Sequence, residues 1–438
     1  MIKEKHLTAR EKLDLMKEGL RLQFVADSTA NAQQMAFIDS LELYINFFEN
    51  HPARIYLPNN DLSFFDSLFY GMENCVNNNE IIRILHYGDS QIEADRISGV
   101  IRQKLQEKFG GNGPGLIPAI QPIESASVAQ SASGNMERFT IAGNLANEAG
   151  HNRYGILGQT TVLNGRGTIY VASRNYKNTY ENAKEFSKVR VFLSRNSENF
   201  VASLQTGNSE PITRQLQNES LQPRTLTWEF KNPIKKFELY LSGNAEISAL
   251  SLDGNSGVAV DNIPLRGSSG AFFTNIDVNT YVPVMKELNV KLIIMEFGGN
   301  RMPSIKSAKA IAEYTNSMAK QINHIYNIYP DAKILFIGPS DMSTMVNGRL
   351  QTIPFLKETV QSMRDTALEN GAAFWDMFEV MGGENSMIEW VNNKPAWATS
   401  DYIHFTEKGA ARIGELFFES LMIYYNYFQF INGINPQI

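Results

Sequence analysis

Short apolar strands alternate with amphipathic helices over most of the chain, a strand-only stretch interrupts them, and a helical lead-in precedes them. Together these predict an α/β protein: a parallel sheet with helices on both faces, split in sequence by a β-rich insertion. At about 150 residues per domain, 438 residues make two or three such units.

The first 80 residues read as helices. Thr8 and Glu11 have capping-box spacing, and Leu13, Met16, Leu20 and Phe24 follow the helical period. Further helices are expected around Met35 to Phe48 and Leu62 to Met72, and residues 1–80 read as a packing extension. At Ile81 the character changes. Ile81 to Leu85 is a buried-strand pattern ending in His86, Tyr87 and Gly88, and Ile97, Ile101, Leu105 and Phe109 then mark one face of a helix. The glycines of 110–115 follow that helix and lack the Lys-Ser/Thr pair of a phosphate loop, so they read as a helix stop and turn.

From 121 to 257 the period becomes two: Val189, Val191, Leu193, then Leu226, Trp228, Phe230, then Phe237, Leu239, Leu241. This is the pattern of a β-sandwich or jelly roll. Tyr170, Tyr176, Tyr180, Trp228 and Tyr240 are candidates to stack on sugar rings, with core packing as the plainer role for aromatics at strand spacing. After Val258 the strand-helix rhythm returns with Leu292 to Phe297, a helix carrying Ile311, Tyr314, Met318, Ile322 and Ile325, and a third strand at Lys333 to Gly338. Phe355 to Leu368, Ala372 to Met377 and Gly409 to Met422 complete it. The expected division is therefore 1–80, a discontinuous α/β domain of 81–120 and 258–438, and an insertion of 121–257.

Ligands of open parallel sheets collect beyond the carboxyl ends of the strands, which singles out polar residues just past each apolar run. Three clusters qualify: Gly88-Asp89-Ser90, Gly298-Gly299-Asn300 and Asp401-Tyr402-Ile403-His404. Each alone is weak. A serine hydroxyl needs an imidazole to take its proton, and that imidazole needs a carboxylate to fix its tautomer. Asp401 and His404, three residues apart in a turn before a helix, supply the pair, and Ser90 completes a candidate triad. The Asn300 amide, with main-chain N–H groups at Ser90 and a nearby glycine, is a candidate oxyanion hole.

With these blocks in this order the chain resembles the SGNH/GDSL hydrolases. Gly88-Asp89-Ser90 matches their nucleophile block, Gly299 and Asn300 the asparagine block, and Asp401 with His404 the Asp-x-x-His block. The glycine block is assigned to Gly267 in DNIPLRGSSG, with Gly155 or Gly158 of YGILGQ as fallback. The strings HYGDSQIEADRI, GNGPGLIPA, FWDMFEVMGG and DYIHFTEKGA are similar to bacterial two-domain members related to peptidoglycan and polysaccharide O-acetylesterases. The resemblance covers 81–120 and 258–425, the insertion only in architecture, and 1–80 not at all. Two positions depart from it: Arg301 stands where many members have Asp, and Phe405 where Pro is frequent. It implies a three-layer, flavodoxin-like sheet with an inserted β-sandwich, and a serine esterase that removes short acyl groups from a carbohydrate polymer. In that scheme Ser90 is the nucleophile, His404 the base and Asp401 its orienter, and Ser90 N–H, Gly267 N–H and Asn300 hold the oxyanion. The same triad would serve an O-acetyltransferase, and a non-catalytic glycan-binding protein is a third reading.

No metal or organic cofactor is expected, since His6, His51, His86, His151 and His324 have no ligand spacing. His86, at a strand end, reads as structural. Forty Lys and Arg against 46 Asp and Glu, with no basic run, argue against nucleic acid as a partner. No membrane span is expected, because no run approaches about 18 apolar residues, and the start lacks the apolar core of a signal peptide. One cysteine, Cys75, fits either a reducing compartment or an exported fold without disulfides. Family resemblance points to the periplasm or cell surface. The oligomeric state is not legible.

Overall fold

The computed structural model describes residues 8–22, 28–143, 147–175 and 180–433. Phe24 and Tyr176 lie outside the described residues. The N-terminal helices α1 (Ala9–Leu22) and α2 (Ser28–Asn50) form as expected. Thr8 and Glu11 make the reciprocal capping bonds, Thr8 N–H to Glu11 Oε2 at 2.7 Å and Glu11 N–H to Thr8 Oγ1 at 3.2 Å. Leu13 packs there with Ile38, Leu41 and Ile45.

The next residues already belong to the sheet. A short strand missed in the sequence, β1 (Ile55–Tyr56), is followed by α3 (Asp66–Asn74). The helix starts later than Leu62 because Asp61 accepts from the Ser63 N–H and turns the chain there. Then come β2 (Ile81–Gly88), α4 (Ser98–Phe109) and β3 (Gly115–Ile117), with Gly110 closing α4 as its C-cap.

The strand-only stretch contains β4 (Val128–Thr140), β5 (Gln159–Ser173), β6 (Phe186–Asn196), β7 (Phe200–Gln205), β8 (Ile212–Leu216), β9 (Arg224–Ile234) and β10 (Lys236–Asp253). Together with β3 they pair as one eight-stranded sheet instead of two separate ones. The long strand β10 makes this possible. On one edge it pairs with β5 and then β3, and on the other with β7 and then β6. The strands wrap around Ile169, Val191, Phe200, Trp228 and Leu239. Trp228 is 1% exposed, and its indole N–H donates to Ile212 O, joining β9 to β8. It is a core residue and cannot stack on a sugar.

The α/β part resumes with β11 (Gly257–Pro264), α5 (Val278–Glu287), β12 (Val290–Glu296), α6 (Ala308–Ile328) and β13 (Lys333–Ile337). It ends with a hairpin, β14 (Ser343–Val346) and β15 (Arg349–Thr352), then α7 (Leu356–Glu369), β16 (Ala373–Trp375), α8 (Met377–Val380), α9 (Ser386–Asn392) and α10 (Glu407–Ile431). The sheet order is β1-β16-β13-β12-β2-β11, parallel except for β1.

Both faces of this sheet are covered, which is why its strands read as unbroken apolar runs. Leu85, Tyr87, Ile293, Met295, Ile334 and Phe336 point to the side of α5, α6 and α7. Ile82, Ile84, Leu292, Ile294, Leu335 and Ile337 point to the side of α3, α4 and α10. Strand β11 escaped the sequence reading because it carries Asp261 and Asn262. The structure satisfies both, Asp261 with Arg83 and the Leu116 N–H, and Asn262 with Ser98 and Ile92 O.

Candidate active site

The loop after β2 carries Ser90, the loop after β12 carries Asn300, and the turn before α10 carries Asp401 and His404. All three sit at the carboxyl edge of the sheet. Gly88 ends β2 because the chain passes close to its neighbour there: a Cβ would meet the Ile92 side chain at 2.9 Å and Glu296 O at 3.1 Å. Gly298, at φ +128°, turns the chain out of β12 into a short helical stretch. Tyr402, at φ +59°, lets Asp401 and His404 fold toward one another.

Ser90, His404 and Asp401 form a hydrogen-bonded line. Ser90 Oγ lies 2.9 Å from His404 Nε2, and His404 Nδ1 lies 2.7 Å from Asp401 Oδ2. With the Nδ1 proton on the carboxylate side, Nε2 is free to accept the serine proton. Asp401 is held as firmly as it holds: its Oδ1 accepts from the Thr399 hydroxyl and from the N–H groups of Ile403 and His404. Partial burial works against its charge, but these donors prevail and keep the carboxyl well below the usual carboxylate range. The pair lies near the surface, His404 and Asp401 being 38% and 46% exposed at their side chains.

Asn300 lies in the same cavity. Its Nδ2 donates to Asp89 Oδ2 at 2.7 Å and to Ser268 O at 3.2 Å. Asp89 is buried, and burial pushes its carboxyl up to about 7, with Glu296 adding repulsion and the Gln91 N–H and Asn300 amide opposing. Beneath lies His86, between Glu296 Oε2 at 3.0 Å and Ser98 Oγ at 2.9 Å, a structural place for a strand-end histidine.

Gly267, at φ +78°, follows β11. Arg266 before it binds Glu93, and Ser268 after it binds Asn300, so it stands beside the site without lining the cavity. Gly155 packs against Ser248, and Gly158 against Ile141, Leu265 and Phe272, so neither borders the cavity. Arg301, one of the two departures, stacks its guanidinium 5.8 Å from the Tyr314 ring, and Phe405 is fully buried.

The cavity, of about 610 Å³, is lined by Ser90, Asn300 and His404. Met342, Met345 and Val346 of the β14 region also line it, with Ile353 and Pro354 after β15. Asp341 anchors this hairpin by accepting from Thr352 Oγ1 and the Met387 N–H. Sequence reading missed the hairpin, Glu296, Thr399 and Gln91. Glu296 carried a signal, a charged residue ending an apolar run; the hairpin, Thr399 and Gln91 had none short of the folded chain.

Residues 243–412 match the sequence model of the GDSL-like lipase/acylhydrolase family. A solved peptidoglycan O-acetylesterase has the same fold, with 20% identity and a TM-score of 0.65, over 84% of this chain and 96% of that one. A family-two carbohydrate esterase from Cellvibrio japonicus aligns at 10% identity and a TM-score of 0.26, over 69% and 99% of the two chains. No curated protein matches in sequence.

Proposed function

We propose that this chain is a serine esterase that removes O-acetyl groups from a carbohydrate polymer, peptidoglycan or an acetylated polysaccharide. The observation that carries the proposal is the hydrogen-bonded line Ser90–His404–Asp401 opening into the cavity at the sheet edge. The match to the acylhydrolase family and the fold shared with a peptidoglycan O-acetylesterase support it.

In this reading His404 Nε2 takes the Ser90 proton as Oγ attacks the ester carbonyl, then returns it to the sugar oxygen that leaves. A water, deprotonated by the same nitrogen, releases acetate from the acyl-enzyme. Asp401 fixes the imidazole tautomer and stabilises its cationic form. The Ser90 N–H and the Asn300 amide receive the developing oxyanion, while Gly267, the expected third donor, does not line the cavity. For Asn300 this means giving up the longer of its two bonds, the one to Ser268 O, while Asp89 retains the other hydrogen.

The catalytic domain in this proposal comprises 81–120 and 258–438, with 121–257 as an inserted, sandwich-like glycan-facing domain and 1–80 as an extension. The place of work is the periplasm or cell surface, where such polymers occur. Acetate release from a panel of acetylated glycans and peptidoglycan tests the proposal: release from at least one polymer, abolished by Ser90→Ala, supports it. No release from any of them, by a folded enzyme, contradicts it.

A further inference from the structure

Gln91 follows the proposed nucleophile, is 9% exposed, and takes no part in the hydrogen-bonded line itself. Its side-chain amide spans both neighbours of His404. Nε2 donates to Ile403 O at 2.7 Å, and Oε1 accepts from the Phe405 N–H at 3.4 Å. Nε2 also reaches Ser340 Oγ at 3.3 Å, and the Gln91 main-chain N–H is fixed by Asp89 Oδ1 at 3.0 Å. Arg96 adds to this from the same segment, donating to Phe405 O at 2.9 Å and to Ser90 O at 3.1 Å.

These bonds matter because Ser90 and His404 are far apart in sequence and arrive on separate loops. His404 and Asp401 are also too exposed for packing alone to fix them. The amide of Gln91 is suited to the task by having a donor at one end and an acceptor at the other, matching a carbonyl and an N–H on either side of one residue. Phe405 supplies that N–H; a proline at this position would leave Gln91 Oε1 without it.

We infer that Gln91 is a positioning residue that clamps the His404 backbone against the Ser90 loop and so keeps Nε2 within reach of the serine proton. The inference rests on the esterase reading above. Displacing a base by about 1 Å can cost about 10²-fold in rate, whereas the binding of a small substrate is little affected.

The test uses the full chain, with Gln91→Ala and Gln91→Glu as variants. Glutamate keeps the length and an acceptor for Phe405 but has no hydrogen for Ile403 O when ionised. Ser90 labelling by a fluorophosphonate and kcat on an aryl acetate, both read per folded molecule from melting curves, should fall about 10- to 100-fold in both variants. KM should stay within about twofold. The downfield proton resonance of His404 Nδ1–H should broaden, which a purely structural loss in the folded fraction would not produce. Variants labelled at the wild-type rate, beside a labelled wild type, overturn the clamp alone. An unlabelled wild type overturns the clamp and the esterase reading together.

Discussion

Asn300 separates a chemical role from a structural one more cleanly than any other side chain at the site, because its donor can be removed without moving the chain. An oxyanion donor contributes most when charge has developed, so Asn300→Ala should lower kcat by about 10²- to 10³-fold and leave KM nearly unchanged. Kinetics on an aryl acetate check this; a lower melting temperature with normal kcat would instead mark Asn300 as a turn residue that ties Asp89 to Ser268 O. Asp89 itself makes a prediction about pH. Its folded carboxyl is raised to about 7, so between about pH 4 and 7 the folded chain holds a proton that the unfolded chain has released. Its contribution to stability therefore falls as pH rises through that window. Asp89→Asn removes the titration, and the melting temperature of the variant relative to wild type should rise from pH 4 to pH 8. The corresponding change is on the order of 4 kcal/mol at most; a difference that does not vary with pH contradicts the raised carboxyl. The blocks that bear Ser90 and Asn300 were legible in the sequence because each is a short polar cluster directly after an apolar run, and the Asp401–His404 block because a carboxylate and an imidazole stand three residues apart before the last helix. Gln91 and Glu296 act through partners distant in sequence, Ile403 and Phe405 for the one and His86 for the other, and Thr399 acts within its own turn on Asp401, where no pattern marks it.

Elements were legible where one periodicity dominates, as in β2, β12, β13 and α6. Strand β11 was not, because its polar residues find buried partners contributed by β2, α4 and β3. Arg83 on β2 shows the cost of that arrangement. Fully buried, it bonds Asp261 of β11 at 2.7 Å and Asp253 of β10 at 2.7 Å, so one guanidinium ties the parallel sheet to the eight-stranded one. Arg190 of β6 shares Asp253 at 2.9 Å, and the two arginines hold that carboxyl down at about 2 despite its burial. Removing one member of such a group leaves buried charge without a partner. Arg83→Ala should therefore destabilise the fold by about 3–5 kcal/mol, measured by denaturant unfolding. A loss below about 1 kcal/mol would mean that water or local rearrangement replaces the guanidinium.

At the scale of the molecule, the proposed chemistry lies at one sheet and the proposed surface for a polymer on the other. The insertion contributes no residue to the Ser90–His404–Asp401 line, yet β5 and β10 expose Tyr170 and Tyr240, 36% and 37% accessible, as diagonal neighbours on one face. Of the other aromatic candidates, Trp228 belongs to the core, Tyr180 is half-buried over Gly99 with its hydroxyl donating to Arg96 O, and Tyr176 lies outside the described residues. Replacing both by alanine should lower turnover of an acetylated polymer and leave an aryl acetate untouched; equal turnover of the polymer would make this face a scaffold.

The central claim is that Ser90 is an activated nucleophile, and a fluorophosphonate reads that property directly, because an ordinary serine does not react with it. Incubation of the full chain, followed by peptide mass spectrometry, should place a single phosphonyl adduct on Ser90. Ser90→Ala should abolish the adduct, and His404→Ala should slow its formation by at least about 10³-fold. A folded wild-type protein that takes up no label, or takes it up at another serine, contradicts the account.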